Sequence, residues 1–226
     1  FGDHMVVNGK IWPKEDVVPR NYRMHLLNGT DSRFMAIQFV AVDAGITDPN
    51  DPSASAPLDF WVIGSDQGLA SSATQVDILV SEPGSRYDIV FDFKGLQGKR
   101  IIMENIGGDE PFGGDIPGPK IFDCTDRIMA FDVTLQFNTD VPDLFNPDAI
   151  NFGPTVGEPL STPRKVALFE GVDEFGRLQP LLGIVDETNS ASQATPKTWF
   201  EPTTETPDIN TTEEWWIYNF TGDAHP

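Results

Sequence analysis

The feature that most constrains this chain is a strict alternation of apolar and polar side chains. In the segment 86–93, RYDIVFDF, every second residue is aromatic or aliphatic. Successive side chains of a β-strand point to opposite faces, so this spacing predicts a strand with one buried face and one face in water. The predicted inward residues are Tyr87, Ile89, Phe91 and Phe93, and the predicted outward residues are Arg86, Asp88, Val90 and Asp92.

A second segment, 129–137, repeats the pattern. Its predicted inward residues are Met129, Phe131, Val133, Leu135 and Phe137. Shorter candidate strands lie at 5–7, 22–27, 34–40, 60–63, 76–80, 99–104, 165–169 and 214–220. The pair Asn8-Gly9 predicts a tight hairpin turn, because both residues tolerate positive φ. No helical stripe exceeds two turns, so we predict an all-β fold, a β-sandwich or Greek-key barrel.

The pattern of strands predicts two domains joined by a linker. Residues 1–140 are interpreted as one complete domain, and 141–163 as a proline-rich linker with little alternation. Residues 164–226 number about sixty, against the roughly 100 of a complete sandwich. We therefore expect this last part to be the beginning of a longer domain, and both ends of the chain to be cuts.

Charge and composition restrict the partners. The chain has 35 acidic and 15 basic residues, a formal net charge of −20, which disfavours nucleic acid and anionic membranes as partners. No apolar run approaches the roughly 20 residues that cross a bilayer. The apolar content of 39% is enough for a real core. Cys124 is the single cysteine, so no internal disulfide is possible.

Three stretches resemble the multicopper oxidase family, in particular the bacterial spore-coat laccases and the bilirubin oxidases. The first is GDHMVVNGKIWPKEDVVPRNYRMHLLNGTDSRF, at 2–34. The second combines IGSDQGL, from Ile63, with EPGSRYDIVFDF, ending at Phe93. The third is TEEWWIYNFTGDAHP, at 212–226. They occur in the family's order and at matching spacing. The resemblance implies cupredoxin-like domains, the middle one over 1–140 and the start of the last one over 164–226.

The resemblance also implies a chemistry for the intact parent protein. Such enzymes use copper to oxidise small phenolic or tetrapyrrole substrates and to reduce oxygen to water. It further implies an extracellular or spore-coat location. His225 matches one ligand of the type-1 copper, and the loop residues before it, Gly222, Asp223 and Ala224, match a region near the substrate. A type-1 site needs two imidazoles and a thiolate.

The remaining candidate metal ligands do not match the family's copper motifs. His4 and His25 stand where the family pattern has Thr and Arg, and Cys124 lies outside any His-Cys-His context. We expect His4 and His25 to be structural or to lie on the surface, and Cys124 to be a small buried apolar side chain and not the type-1 thiolate. No His-X-His pair occurs, so we expect the chain alone to be inactive and to hold no ordered copper.

Two alternatives remain open at this point. A non-catalytic β-sandwich that binds or supports other molecules would explain the strands and the few histidines, although not the three ordered motifs. A redox-inactive relative of the oxidases is the other. We also expect the incomplete last domain to self-associate through its unpaired strands.

Overall fold

A computed structural model describes residues 1–153, 156–159, 162–185 and 194–226. The chain divides into two compact units, Phe1–Pro154 and Thr155–Pro226. The regular structure of the described residues is β-strand, apart from one short 3₁₀ helix at Pro147–Ala149. Among the described segments, no helix is long and apolar enough to cross a membrane. The all-β prediction is therefore confirmed.

The first unit contains two large sheets and a small hairpin. Its strands are β1 (Val6–Val7), β2 (Lys10–Ile11), β3 (Lys14–Val17), β4 (Asn21–Leu27), β5 (Met35–Asp43), β6 (Phe60–Ser65), β7 (Gly68–Val76), β8 (Leu79–Ser81), β9 (Arg86–Asp92), β10 (Lys99–Asn105) and β11 (Arg127–Val133). One sheet has the order β3-β11-β10-β5-β8, the other has the order β4-β9-β6-β7, and β1 pairs with β2. Neighbouring strands are antiparallel except β11 and β3, which are parallel.

The two sheets enclose an aromatic core. The ring of Phe39 on β5 lies 5.1 Å from that of Phe60 on β6 and 4.5 Å from that of Phe91 on β9, so the sheets face each other. Ile89, Phe91 and Phe93 are each at most 1% exposed. Aromatic pairs at this spacing add stabilisation beyond the area that they bury. The predicted inward face of the segment 86–93 is confirmed.

Val90 does not lie in water, as the alternation predicted, but is only 3% exposed. Trp61 on β6 is its direct partner in the ladder and therefore lies on the same face. The ring of Phe145 lies 6.4 Å from that of Trp61. The segment around Phe145 is tied to the first unit, because Asp143 accepts hydrogen bonds from Asn21. A chain segment thus covers the outer face of this sheet.

The second predicted strand ends earlier than its sequence pattern. Phe131 and Val133 are buried, but Leu135 and Phe137 are 48% and 43% exposed, so their predicted place in the core was wrong. Val133 is the last residue of β11 and pairs with Val17, the last residue of β3. Because β3 also stops there, the alternation of apolar and polar residues in the sequence runs past the last strand pair and beyond the edge of the core.

Two positions in the motif segments have glycine for a steric reason. Asn8 and Gly9 join β1 to β2 with φ values of 50° and 81°, which confirms the predicted hairpin turn. In β6, a Cβ atom at Gly64 would lie 2.7 Å from the carbonyl oxygen of Gly68. The pairing of β6 with β7 shifts register between Val62 and Gly64. This irregularity brings the two backbones so close that it requires a residue without a side chain.

The second unit is one four-stranded sheet in the described residues. Its strands are β12 (Arg164–Val172), β13 (Leu178–Val185), β14 (Ala194–Lys197) and β15 (Trp215–Asn219), in the order β14-β13-β12-β15. β12 and β15 are parallel, and the other pairs are antiparallel. Of the described apolar side chains in this unit, only Ala167 and Val185 are buried.

Candidate functional site

The loop that follows β15 carries the four residues predicted to belong to a site. The sheet continues as far as the start of this loop, because the Phe220 amide donates to the carbonyl oxygen of Leu168 at 3.1 Å. Gly222 is exposed, whereas Asp223 and Ala224 are half-buried. The side chain of His225 is 36% exposed. The structure therefore places these residues in one loop after the end of β15, next to β12.

Asn219 shapes this loop. Its Oδ1 accepts hydrogen bonds from the amide nitrogen of Thr221 at 2.9 Å and from Oγ1 of Thr221 at 2.8 Å. Its Nδ2 donates to the carbonyl oxygen of Asp223 at 2.6 Å. An asparagine that bonds the backbone just after itself imitates a backbone turn, which fixes the chain direction here. The predicted residue Asp223 thus contributes to the loop through its carbonyl oxygen.

The hydroxyl group of Thr221 is the hydrogen-bond partner of His225. Its Oγ1 atom is also within reach of Oδ1 of Asn219 and of the carbonyl oxygen of Asp223, which both accept. Nε2 of His225 lies 2.7 Å from the same Oγ1, so this contact occupies Nε2. In the neutral tautomer with the hydrogen on Nε2, the ring donates to Oγ1 and Nδ1 has the free lone pair. A ring oriented in this way is typical of a metal-binding histidine.

Glu170 lies beside this histidine. Its Oε1 is 3.9 Å from Nε2 of His225, and its side chain is 28% exposed. This distance is too long for a hydrogen bond. Sequence reasoning missed both Thr221 and Glu170. The Asn-Phe-Thr triplet at 219–221 is a local turn signal that could have identified Thr221, whereas Glu170 lies on a strand far away in sequence.

The motif residues before the loop anchor β15 to β12. Arg164 forms two hydrogen bonds of 3.0 Å with the carboxylate of Glu213 and one of 2.9 Å with Glu205. The bonds from Arg164 lower the pKa of Glu213. The guanidinium also lies over the ring of Trp215, 5.4 Å from its centroid. Since Arg164 begins β12 and Trp215 begins β15, this cluster fixes the parallel register that positions the loop.

The other predicted non-ligands have structural contacts. His4 hydrogen-bonds Asp3 at 2.7 Å and stacks on Trp12. Nε2 of His25 lies 3.6 Å from Asp88. Cys124 is half-buried in the first unit. The roles predicted for these three residues stay predictions.

The described residues do not by themselves fit a type-1 copper. Such a centre needs two imidazoles and a thiolate. The loop supplies one imidazole with a carboxylate nearby, and the described residues include no group of three or more His, Cys, Asp or Glu that could hold a metal ion. This chain therefore offers one ligand of a site and not a whole site.

Comparison with known proteins gives consistent relatives. No protein-family model matches the chain. The laccase of Bacillus subtilis is 33% identical over 227 residues, which cover all of this chain and 37% of that protein. The bilirubin oxidase of Albifimbria verrucaria is 33% identical over 80% of this chain and 28% of its own length. The chain thus spans about a third of these relatives.

Solved structures show the same fold. A laccase from Pediococcus acidilactici superposes on 96% of this chain with a TM-score of 0.58 and 20% identity, over 36% of its own length. The multicopper oxidase McoA of Aquifex aeolicus covers 77% of this chain and 33% of its own, with a TM-score of 0.56 and 22% identity. These neighbours confirm the cupredoxin-like β-fold. Together with the sequence matches, they establish that the chain belongs to the multicopper oxidase family.

Proposed function

We propose that this chain is part of a laccase-like multicopper oxidase, in which His225 is a ligand of the type-1 copper through Nδ1. The observation that carries the proposal is the hydrogen bond of Nε2 to Thr221 in a chain that aligns along its whole length with a laccase. Metal-binding histidines generally donate their second ring N–H to a fixed acceptor. Thr221 supplies that acceptor.

The whole protein would oxidise small phenolic or tetrapyrrole substrates and reduce oxygen to water. The bound copper would accept electrons singly from the substrate. Within this chain, residues 1–140 would form the middle domain and hold the neighbouring domains at the required spacing, while 164–226 would contribute to the last domain. Gly222, Asp223 and Ala224 would line the substrate pocket next to His225. The linker would run over 141–163.

The chain alone should not catalyse this reaction. One imidazole and one carboxylate make a weak copper site, and the described residues offer no group of ligands for a second metal. The isolated chain, incubated with copper and a phenolic dye substrate, should show neither turnover nor the blue absorption of type-1 copper. In isolation the exposed sheet of the second unit would also pair with a second copy.

The ligand assignment is tested in the whole protein. His225→Leu should abolish the blue absorption band and lower turnover of the dye by at least about 100-fold, because an imidazole ligand is lost. His25→Leu is the matched control, since the side chain of His25 is 77% exposed. It should keep both signals. A full blue band in His225→Leu would contradict the assignment.

A further inference from the structure

Three asparagines of the chain stand in the triplet Asn-X-Thr, in which X is not proline. The triplets are Asn28-Gly29-Thr30, Asn210-Thr211-Thr212 and Asn219-Phe220-Thr221. This triplet is the acceptor sequence for N-linked oligosaccharides, which are bulky and need a place on the protein surface. The three triplets are equivalent in sequence, but the structure places their asparagines in three different environments.

Asn28 lies inside the first unit and is only 4% exposed. Its side-chain nitrogen donates to the carbonyl oxygen of Arg33 at 2.9 Å and to that of Ser81 at 2.8 Å, so both of its hydrogens are used. Its Oδ1 accepts from the backbone amide and the hydroxyl of Thr30. A sugar would replace one of these hydrogens and leave a buried acceptor without its partner. The folded unit therefore excludes a glycan at Asn28.

Asn219 is exposed, but its side chain is folded back onto its own loop. Nδ2 lies 2.6 Å from the carbonyl oxygen of Asp223, and Oδ1 accepts from the backbone amide and the hydroxyl of Thr221. A sugar on this nitrogen would crowd the backbone that it touches. We expect a glycan here to be incompatible with the loop that holds His225.

Asn210 lies in an exposed turn before β15. Its neighbour Ile209 is 88% exposed, and Thr211 is exposed as well. The φ angle of Asn210 is 62°, in the left-handed region that asparagine enters more readily than most residues. Oγ1 of Thr211 donates to the carbonyl oxygen of Asp208 at 2.6 Å and stabilises the turn. The side-chain amide of Asn210 itself forms no hydrogen bond with the described residues, so a sugar could replace one of its hydrogens without breaking a contact.

We propose that Asn210 is the N-glycosylation site of this chain, and that Asn28 and Asn219 are not modified. The sugar donor is an oligosaccharide linked to a lipid through a diphosphate. In the transfer, the bond between C1 of the first sugar and the diphosphate oxygen breaks, and a bond from Nδ2 of Asn210 to C1 forms. The amide gives up one proton to solvent, the lipid diphosphate leaves, and nothing is oxidised or reduced. The site contains no proposed copper ligand, so its outcome is independent of the proposed function.

Secretion of the 226-residue chain from a yeast that glycosylates its secreted proteins provides the test. The soluble chain would be treated with peptide N-glycanase in ¹⁸O-labelled water, which converts each glycosylated asparagine into labelled aspartate. Mass spectrometry of the peptides should find the label at position 210 and should find unmodified asparagine at 28 and 219. A soluble chain without label at Asn210, or with label at either of the other two positions, would overturn the proposal.

Two adjacent threonines supply a matched pair of variants. The third residue of the triplet must carry a hydroxyl group, whereas the second can be any residue except proline. Thr212→Ala should therefore lose the glycan and migrate on a gel like the enzymatically deglycosylated chain. Thr211→Ala removes a hydroxyl group from the same turn and should keep the glycan. A glycan that remains in Thr212→Ala, or disappears in Thr211→Ala, would contradict the assignment.

Access to the finished glycan tests the exposure of the turn. An endoglycosidase that cuts within the sugar core should release the oligosaccharide from the native chain as completely as from the denatured chain, because Asn210 projects from an exposed turn. Unfolding measured before and after release should give the same midpoint, since the proposed glycan replaces no contact of the fold. Release only after denaturation would mean that the glycan packs against the protein, and the inference would fail.

Discussion

Thr221 links the shape of the loop after β15 to the chemistry of His225. Its hydroxyl group lies within hydrogen-bond distance of Oδ1 of Asn219, of the backbone oxygen of Asp223 and of Nε2 of the imidazole. The same Oγ1 also accepts a hydrogen bond from the Asp223 amide at 3.4 Å, so Thr221 contributes to the structure of the loop as well. One residue therefore holds the turn and occupies Nε2, and Nδ1 is the ring nitrogen that we propose for the metal.

Replacing Thr221 by Val in the whole protein should weaken copper binding at the proposed type-1 site by about 10–100-fold, because the ring loses the hydrogen-bond partner of Nε2 that orients it. Copper content and the intensity of the blue band would be measured after dialysis against a graded chelator. Thr211→Val is a suitable control, because Thr211 bonds only the nearby carbonyl oxygen of Asp208 among the described residues. Equal copper retention in both variants would argue against this role of Thr221.

The sequence makes His225 a candidate ligand, because a distinctive motif ends beside it, and its role as a ligand stays a prediction. It could not indicate Glu170, whose approach to the ring depends on the pairing of β12 with β15 across many intervening residues.

At the scale of strands, the alternation of apolar and polar residues identified the strands that have one buried face. It failed for strands in which neither face is buried. The strand β7, with the sequence GLASSATQV, lies at the edge of its sheet and has no apolar row. In β13, Pro180 resembles a strand breaker. It is tolerated because β14 pairs with β13 only from Leu182 onward, which leaves Pro180 with a neighbouring strand on one side.

Phe91 and Phe137 both occupy predicted inward positions of an alternating pattern, but only Phe91 is buried in the structure. Phe91→Ala should lower the free energy of unfolding by about 3–5 kcal/mol, since Phe91 is 1% exposed and packs on Phe39 and Phe93. Phe137→Ala should cost less than about 1 kcal/mol, since Phe137 is 43% exposed. Urea unfolding of the isolated chain measures both. Similar losses would mean that Phe137 belongs to the core after all.

At the scale of the whole molecule, the two units bury their sheets to different degrees. The first has two sheets that share a core of aromatic and aliphatic side chains. The described part of the second is a single sheet with large apolar residues in water: Trp215, Trp216 and Ile217 are 40%, 45% and 64% exposed. A sheet normally packs against another layer, so such a surface is expected to be covered by further protein.

Hydrogen exchange should reveal this difference in the isolated chain. Amides of β15, residues 215–219, should exchange faster than those of β9, residues 86–92, because opening the second unit exposes little additional apolar surface. β9 is flanked by β4 and β6 and supports the aromatic core, so its amides should open only with the first unit as a whole. Exchange would be measured at several concentrations, because pairing with a second copy would protect β15 in a concentration-dependent way. If β15 exchanges as slowly as β9 in a chain shown to be monomeric, the second unit is stable without a covering layer, and the proposal that it is part of a larger domain fails.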